Sequence, residues 1–145
     1  RCLVAASMML SPETLNRFET TDYIIDDDPP LIMHIGERND SIRALFASFS
    51  VESGAFLTAW NPAGKPAPID DNYERQADLL TEIEALRLNY FVGQGVHPSG
   101  DWQEDSYLIL GINQEEADRI GHQFGQAAYV WLSNSGVPEL RLLAD

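Results

Sequence analysis

The sequence predicts a mixed α+β domain, in which a single mixed β-sheet is flanked by about four helices. Two observations support this class. Short apolar segments typical of strands alternate with longer segments whose apolar residues recur every three or four positions, as on one face of a helix. Hydrophobic residues make up 44% of the 145 residues, which is enough to form a folded core. Taken in chain order, the segments give αββαβαββαββ.

Three of the four predicted helices begin at a recognisable capping residue. Ser11 precedes Pro12, a pair that suits the N-cap and the first helical position. Asn39 and Asn113 are further cap candidates, and Glu116 completes a capping box with Asn113. The longest helix is predicted to start at 70–72. We expect it to direct apolar residues to the core and polar residues to solvent, the apolar set being Tyr73, Ala77, Leu80 and Ile83.

Seven segments are predicted to be strands, at 22–25, 31–35, 55–59, 89–92, 107–110, 128–132 and 140–143. The acidic, proline-bearing connector at 26–30 is typical of a hairpin loop. The stretch 93–104 is predicted to be a long loop, and long ordered loops are often functional. Because hairpins and helical crossovers are both present, we expect parallel and antiparallel pairs in one sheet.

No linker divides the chain, so residues 10–145 are predicted to form a single globular domain after an N-terminal extension at 1–9. Cys2 is the only cysteine and lies in that extension, which excludes an intrachain disulfide. No apolar run approaches the roughly 20 residues that cross a bilayer. We therefore expect a cytoplasmic protein that does not enter a membrane.

The charge balance narrows the classes of partner. The formal net charge is −14, and Lys65 is the only lysine. Such a surface repels phosphate groups, which disfavours direct nucleic-acid binding and binding to anionic membranes. A basic protein partner remains compatible with this charge. An acidic surface that imitates nucleic acid is a further, less favoured alternative.

The candidate binding site starts from Trp60, Asn61 and Pro62, which end a short apolar strand. Pro62 stops the strand and places the amide of Asn61 at its tip, where ligands often dock in sheet proteins. Glu104 and Ser106 share one side of a later strand by the period-two rule. The full candidate set of ligand-binding residues is Asn61, Asn72, Arg75, Glu104, Ser106 and Gln126.

A structural role is an open alternative for three of these residues. The carboxyl of Glu104 can accept loop N–H groups, and the amide of Gln126 can satisfy the backbone where a helix turns into a strand. The guanidinium of Arg75 can hold a carboxylate or phosphate ligand, or instead pair with Asp71 or Asp78 on the surface.

No cofactor or metal is predicted, and no catalytic residue can be assigned. His97, Asp101 and Glu104 could approach one metal, but their spacing matches no established ligand motif. The run 93–95 lacks the third glycine and the lysine of a phosphate-binding loop. No serine lies in a Gly-x-Ser-x-Gly elbow. The sequence leaves open whether the domain is an enzyme.

An ordered set of motifs resembles the DUF3293 family of bacterial proteins, a domain of unknown function. The motifs are Thr58–Pro62, Asn72, Trp102–Ser106, Gly111 and Phe124–Gln126. The resemblance covers the chain from about Tyr23 to Leu140 and implies a small bacterial, cytoplasmic protein. It implies no activity, cofactor or catalytic residue.

Two functions follow as hypotheses. The first is a domain that binds a small molecule or a nucleotide-like ligand at a polar site on the sheet edge. The second is a non-catalytic regulatory or protein-interaction module with an acidic surface, a reading that would be favoured by an exposed apolar patch ringed by acids. The first requires the six candidate side chains to converge in the folded chain.

Overall fold

The computed structural model describes residues 10–62 and 65–143, and within them four helices and seven strands. The helices are α1 (Pro12–Thr20), α2 (Asp40–Ser48), α3 (Ile69–Ala85) and α4 (Gln114–Gln123). The strands are β1 (Asp22–Ile25), β2 (Leu31–Met33), β3 (Ser53–Leu57), β4 (Tyr90–Val96), β5 (Gln103–Leu110), β6 (Ala128–Ser133) and β7 (Glu139–Leu142). The predicted class and the order αββαβαββαββ are confirmed. The predicted extension at 1–9 lies outside the described residues, so that boundary stays a prediction.

All seven strands form one sheet in the order β2-β1-β4-β5-β3-β6-β7. Each neighbouring pair in it is antiparallel, whereas the sequence led us to expect a mixture of parallel and antiparallel pairs. The crossovers explain the difference. α3 connects β3 to β4 and α4 connects β5 to β6, and in each case a third strand lies between the two connected strands. The connected strands run in the same direction but never pair.

The central part of the chain has the ferredoxin-like arrangement. Its elements follow the order β3-α3-β4-β5-α4-β6, and its strands lie in the sheet as β4-β5-β3-β6. This is the β-α-β-β-α-β motif with two interleaved split βαβ units. The hairpin β1–β2 extends the sheet at one edge, and β7 extends it at the other.

Helices cover the two faces of the sheet unequally. On one face, α3 and α4 pack on the centre of the sheet through Leu79, Ile83 and Ile120, which contact a buried cluster around Leu57 and Ile109. On the other face α2 buries Ile42 and Phe46 in a second cluster, whose sheet residues include Tyr23, Ile25, Phe56, Leu108 and Leu110. Ser11, Asn39 and Asn113 cap α1, α2 and α4 as predicted.

The buried face of α3 differs from the expected one. Its buried residues are Asn72, Gln76, Leu79 and Ile83, whereas Tyr73 and Ala77 are exposed. The helix turns the side-chain amides of Asn72 and Gln76 towards the sheet, because both accept hydrogen bonds from backbone N–H groups that follow β3. Oε1 of Gln76 accepts from the backbone N–H of Ala59 at 3.0 Å, and Asn72 holds the next turn of the chain. Hydrogen bonding to the backbone thus overrides the apolar pattern at the start of this helix.

The predicted long loop at 93–104 is in fact mostly strand. β4 and β5 pair along seven residues, from Tyr90↔Ile109 to Val96↔Gln103, and leave a connection of six residues. The backbone N–H of His97 donates to the carbonyl of Trp102 at 2.9 Å and closes this turn. The sequence did not predict a strand at 93–96 because Gly93 and Gly95 lie there, and glycines normally weaken a strand.

Those two glycines give a matched test of packing. A Cβ on Gly93 would lie 2.5 Å from the carbonyl oxygen of Ile24 and 2.7 Å from a ring carbon of Phe56, whereas one on Gly95 meets nothing closer than 3.5 Å. We expect Gly93→Ala to lower the free energy of unfolding by about 1–3 kcal/mol, as overpacking does, and Gly95→Ala to leave it near the parent value. Urea unfolding followed by circular dichroism measures both. Equal stabilities of the two variants would contradict this account.

Candidate functional site

One end of the sheet gathers residues that are far apart in the chain. Because β5 and β6 both run antiparallel to β3, the residues that follow β3 lie beside the first residues of β5 and β6. The pairing Asp22↔Val96 brings the start of β1 to the same end, so α1, which leads into β1, also lies there. This end of the sheet is where the chain places Asn61, Glu104 and Gln126.

A cleft lies between α1 and this end of the sheet, and we call it the α1 cleft. The space inside the cleft is about 50 Å³, room for a few water molecules, and the cleft opens to solvent, so a bound organic molecule would lie partly in its mouth. Its lining combines an apolar side, polar groups and one cation. The residues are Leu10, Thr14, Arg17, Phe18, Asn61, Trp102, Glu104, Gln126 and Ala127.

Glu104 is the most unusual group in the α1 cleft. Its residue is only 8% exposed, and burial raises the pKa of its carboxyl from 4.5 to about 8. The neighbouring side chains of Trp102 and Asn61 and the positive charge of Arg17 lower this pKa but do not cancel the effect of burial. At neutral pH the carboxyl is therefore mainly protonated.

Asn61 and Asn72 form a reciprocal pair that fixes the turn after β3. The backbone N–H of Asn61 donates to Oδ1 of Asn72 at 2.9 Å, and Nδ2 of Asn72 donates to Oδ1 of Asn61 at 2.8 Å. Oδ1 of Asn61 also accepts from the N–H of Ala67 at 3.1 Å, which leaves its Nδ2 to face Glu104. The φ of Asn61 is +44°, a conformation that asparagine tolerates better than most residues. Replacing Asn61 therefore disturbs the fold as well as the cleft.

Arg75 and Gln126 tie this turn to the end of α4. The guanidinium of Arg75 donates to the carbonyls of Ala59 at 3.1 Å and of Phe124 at 2.9 Å, in place of the surface pair with Asp71 or Asp78 that we considered. Nε2 of Gln126 donates to the carbonyls of Trp60 and Phe124, both at 3.2 Å. Arg75 is thus already occupied by backbone groups, while Oε1 of Gln126 accepts no hydrogen bond from any described residue.

The six predicted residues divide into two groups of three. Asn61, Glu104 and Gln126 line the α1 cleft. The other three support them from behind: Asn72 and Arg75 through the contacts above, and buried Ser106 by donating its hydroxyl to the carbonyl of Glu104 at 3.3 Å. A purely loop-anchoring role for Glu104 would require backbone N–H groups that donate to its carboxyl. Within the described chain, no backbone N–H does so. Ligand binding by these residues stays a prediction.

The sequence reading missed Arg17 and Phe18. The guanidinium carbon of Arg17 lies 5.7 Å from the centre of the Trp102 ring, a cation–π contact, and Phe18 meets the same ring edge-on at 6.3 Å. Both come from α1, which was considered only for its capping residues. The adjacent pair of a cation and an aromatic residue was the only available signal, and such pairs are common on helix surfaces.

The loop 97–102 does not form a metal centre with Glu104. Nδ1 of His97 lies 2.7 Å from Oγ of Ser99, which also bonds to Asp101, and Nε2 of His97 lies 3.2 Å from Oγ1 of Thr20. Across residues 10–62 and 65–143, no three His, Cys, Asp or Glu side chains lie close enough to hold a metal ion. Over the same residues, no helix is long and apolar enough to cross a membrane.

Comparison with known protein families assigns the chain to one of them. A family model described as a protein of unknown function, DUF3293, matches residues 57–129. The chain belongs to the DUF3293 family. The DUF3293 match runs from the last residue of β3 to the second residue of β6, so it covers the core of the ferredoxin-like motif and five of the lining residues of the α1 cleft, namely Asn61, Trp102, Glu104, Gln126 and Ala127. Neither the curated proteins nor the solved structures gave a significant match.

The DUF3293 core supplies the polar side of the cleft, and α1, which precedes the matched segment, supplies the cation and much of the apolar side. Chemically, a protonated carboxyl donates a hydrogen bond through its O–H. Trp102 can only donate through its indole N–H, and Oδ1 of Asn61 already accepts from Ala67 and Asn72, so neither side chain accepts the O–H of Glu104. A carboxyl that keeps its proton near pH 7 also has the property that general-acid chemistry needs.

Proposed function

We propose that the domain binds a small organic molecule in the α1 cleft, through a carbonyl or carboxylate group that accepts hydrogen bonds from Glu104 and Arg17. The observation that carries the proposal is the buried, mainly protonated carboxyl of Glu104 at the cleft. A buried carboxyl is costly to the fold, so its presence at a cleft favours a functional role. The predicted bacterial, cytoplasmic setting is part of the same proposal.

The lining favours an apolar ligand body with one acceptor end. Leu10 and Phe18 offer apolar surface beside the polar groups. The positively charged guanidinium of Arg17 lies at the mouth of the α1 cleft, where it offers several N–H donors. No described residue accepts a hydrogen bond from this guanidinium. Oε1 of Gln126 adds one acceptor for a ligand N–H or O–H group. The ligand is thus held by complementary polar groups at one end and by apolar contact at the other.

This chemistry narrows the predicted ligand class. A nucleotide polyphosphate needs several cations, but Arg75 is occupied by two carbonyls, and Arg17 is the only cationic side chain among the described lining residues. The net charge of −14 opposes a multiply charged anion further. A neutral carbonyl compound or a singly charged carboxylate fits better than a phosphorylated nucleotide.

Three probes of similar size test the proposal: benzoate, benzamide and benzylamine. We expect benzoate and benzamide to shift the indole N–H resonance of Trp102 at pH 7 and to raise the unfolding temperature, and benzylamine to do neither. Arg17→Met should weaken benzoate binding about tenfold, since it removes a charged donor, whose hydrogen bonds are worth about 1.5–3 kcal/mol. NMR titration gives the dissociation constants.

Arg38→Met is the matched control, because Arg38 is also an exposed arginine but lies near Asp40, away from the cleft lining. It should bind benzoate as the parent does. Raising the pH above 8 should weaken benzoate binding, because Glu104 then loses its proton and repels the anion. Absence of any probe effect at Trp102, or identical binding by Arg17→Met, would refute the proposed function.

A further inference from the structure

Half of one sheet face carries exposed apolar side chains. On the face that bears α3 and α4, helix contacts centre on β5, β3 and β6. The same face of β2, β1 and β4 shows Ile32, Ile24 and Val92, with Ile32 48% and Val92 51% exposed. Ile24 pairs with Ile32, and Val92 pairs with half-buried Tyr107. These four residues form what we call the open sheet surface.

Acidic residues border the open sheet surface on several sides. Asp22 shares the face of Ile24 by strand alternation, and Asp26 lines a groove with Ile24 and Val92. Asp105 lies opposite Gln94 beside Tyr107. Burial raises the pKa of the Tyr107 hydroxyl, and the nearby groups Tyr90, Asp105 and Glu84 raise it further. The carboxylates of Asp105 and Glu84 therefore lie close to Tyr107 and to the open sheet surface. The ring of His34 lies beside this border, with its Nε2 2.6 Å from Oδ1 of Asp22.

We propose that the open sheet surface binds a basic, amphipathic segment of another protein. Apolar side chains of the segment would cover Ile24, Ile32 and Val92, while its Lys or Arg residues would reach the acidic border. An apolar centre with a charged rim is the usual anatomy of a protein interface. Opposite charge on the partner speeds the encounter and fixes its orientation. This surface is separate from the α1 cleft, so the proposal stands or falls independently of ligand binding.

The negative charge around the open sheet surface favours a basic segment over a second copy of the chain or an anionic membrane. A second copy of the chain would bring two acidic borders together, each on a protein with a net charge of −14. An anionic bilayer would repel the same border. Only a partner of opposite charge gains from both the apolar centre and the acidic rim.

Two synthetic 14-residue peptides serve as probes, one alternating Leu and Lys and the other alternating Ser and Lys. We expect the Leu–Lys peptide to change the backbone amide resonances of β1, β2 and β4, and the Ser–Lys peptide to bind at least tenfold more weakly. The double variant Ile32→Thr/Val92→Thr should weaken Leu–Lys binding at least fivefold. Threonine keeps the β-branched shape, so the strands should persist.

Ile69→Thr is the matched control, because Ile69 is 54% exposed but lies at the start of α3. It should bind the Leu–Lys peptide as the parent does. Equal affinities for the two peptides would show attraction by charge alone and overturn the proposal. Resonance changes centred elsewhere would also overturn it, as would a dimer in sedimentation that Ile32→Thr/Val92→Thr dissolves, which would assign the surface to a second copy.

Discussion

Glu104→Gln is expected to make the protein more stable than the parent at high pH and to leave it about equal at pH 4. The parent carboxyl has a pKa of about 8 when folded and 4.5 as its ordinary value. Above pH 4.5 the unfolded chain releases this proton while the folded chain keeps it, so parent stability falls as pH rises towards 8. Glutamine has nearly the same shape and does not titrate.

The size of the effect follows from the pKa difference. One pKa unit corresponds to about 1.4 kcal/mol, so the advantage of Glu104→Gln should grow between pH 5 and 8 and level off above pH 8 at roughly 5 kcal/mol. Urea unfolding of both proteins at pH 4, 6, 7 and 9 gives the difference directly. Because other titrating groups are shared by the two proteins, their contributions cancel in this comparison.

Glu74→Gln is the control for this series, because Glu74 is exposed on α3. Its stability difference from the parent should stay small and nearly independent of pH. A carbon-13 titration of the Glu104 carboxyl offers a second measurement, with an expected midpoint near pH 8. A midpoint below pH 5 would refute the protonated site and remove the main support for the proposed ligand class.

Local sequence signals predicted the elements of the fold better than their arrangement. Ser11, Asn39 and Asn113 each cap a helix through a hydrogen bond to a nearby backbone N–H, which is a local interaction visible in sequence. The position of β5 between β3 and β4 depends on contacts between residues that are distant in the chain. No pattern within β3 or β4 encodes it, so the all-antiparallel sheet was not predicted.

The site shows the same division. The tip of β3 was marked by Trp60, Asn61 and Pro62, and Asn61 does line the α1 cleft. The surface pair considered for Arg75 does not form, because its guanidinium donates to the carbonyls of Ala59 and Phe124, which meet only after folding. An arginine on a helix pairs with nearby acids by default, and sequence alone shows only those acids.

Burial explains the error on α3 and the omission of α1. On α3, Tyr73 and Ala77 were expected to face the core, but both are exposed. Asn72 and Gln76 are buried instead, because they accept hydrogen bonds from backbone N–H groups that follow β3. Nε2 of Gln76 is itself buried without a hydrogen-bond partner in the described chain. Arg17 entered the site only through the docking of α1 on Trp102. Both outcomes depend on tertiary contacts, which override a pattern read along one helix.

Trp60→Ala should cause a large loss of stability. Trp60 is 7% exposed at the end of β3, and its ring meets that of Tyr73 edge-on at a centre-to-centre distance of 5.3 Å. Truncating a buried tryptophan costs about 3–5 kcal/mol, because apolar surface is exposed and a cavity is left. Since whole domains are stable by only about 5–15 kcal/mol, the variant should unfold at a much lower urea concentration.

Trp102→Ala is the matched comparison, because Trp102 is only half-buried and packs on α1 at the edge of the sheet. It should cost less than half as much as Trp60→Ala. Adding Tyr73→Ala completes a double-mutant cycle, in which the two rings should show a coupling of about 0.5–1.5 kcal/mol. Tyr73 is 56% exposed, so most of its contribution should pass through Trp60. A free energy of unfolding for Trp60→Ala within about 1 kcal/mol of the parent value, roughly the uncertainty of such measurements, would contradict this prediction. The end of β3 would then not be the anchor that holds Asn61 in the cleft.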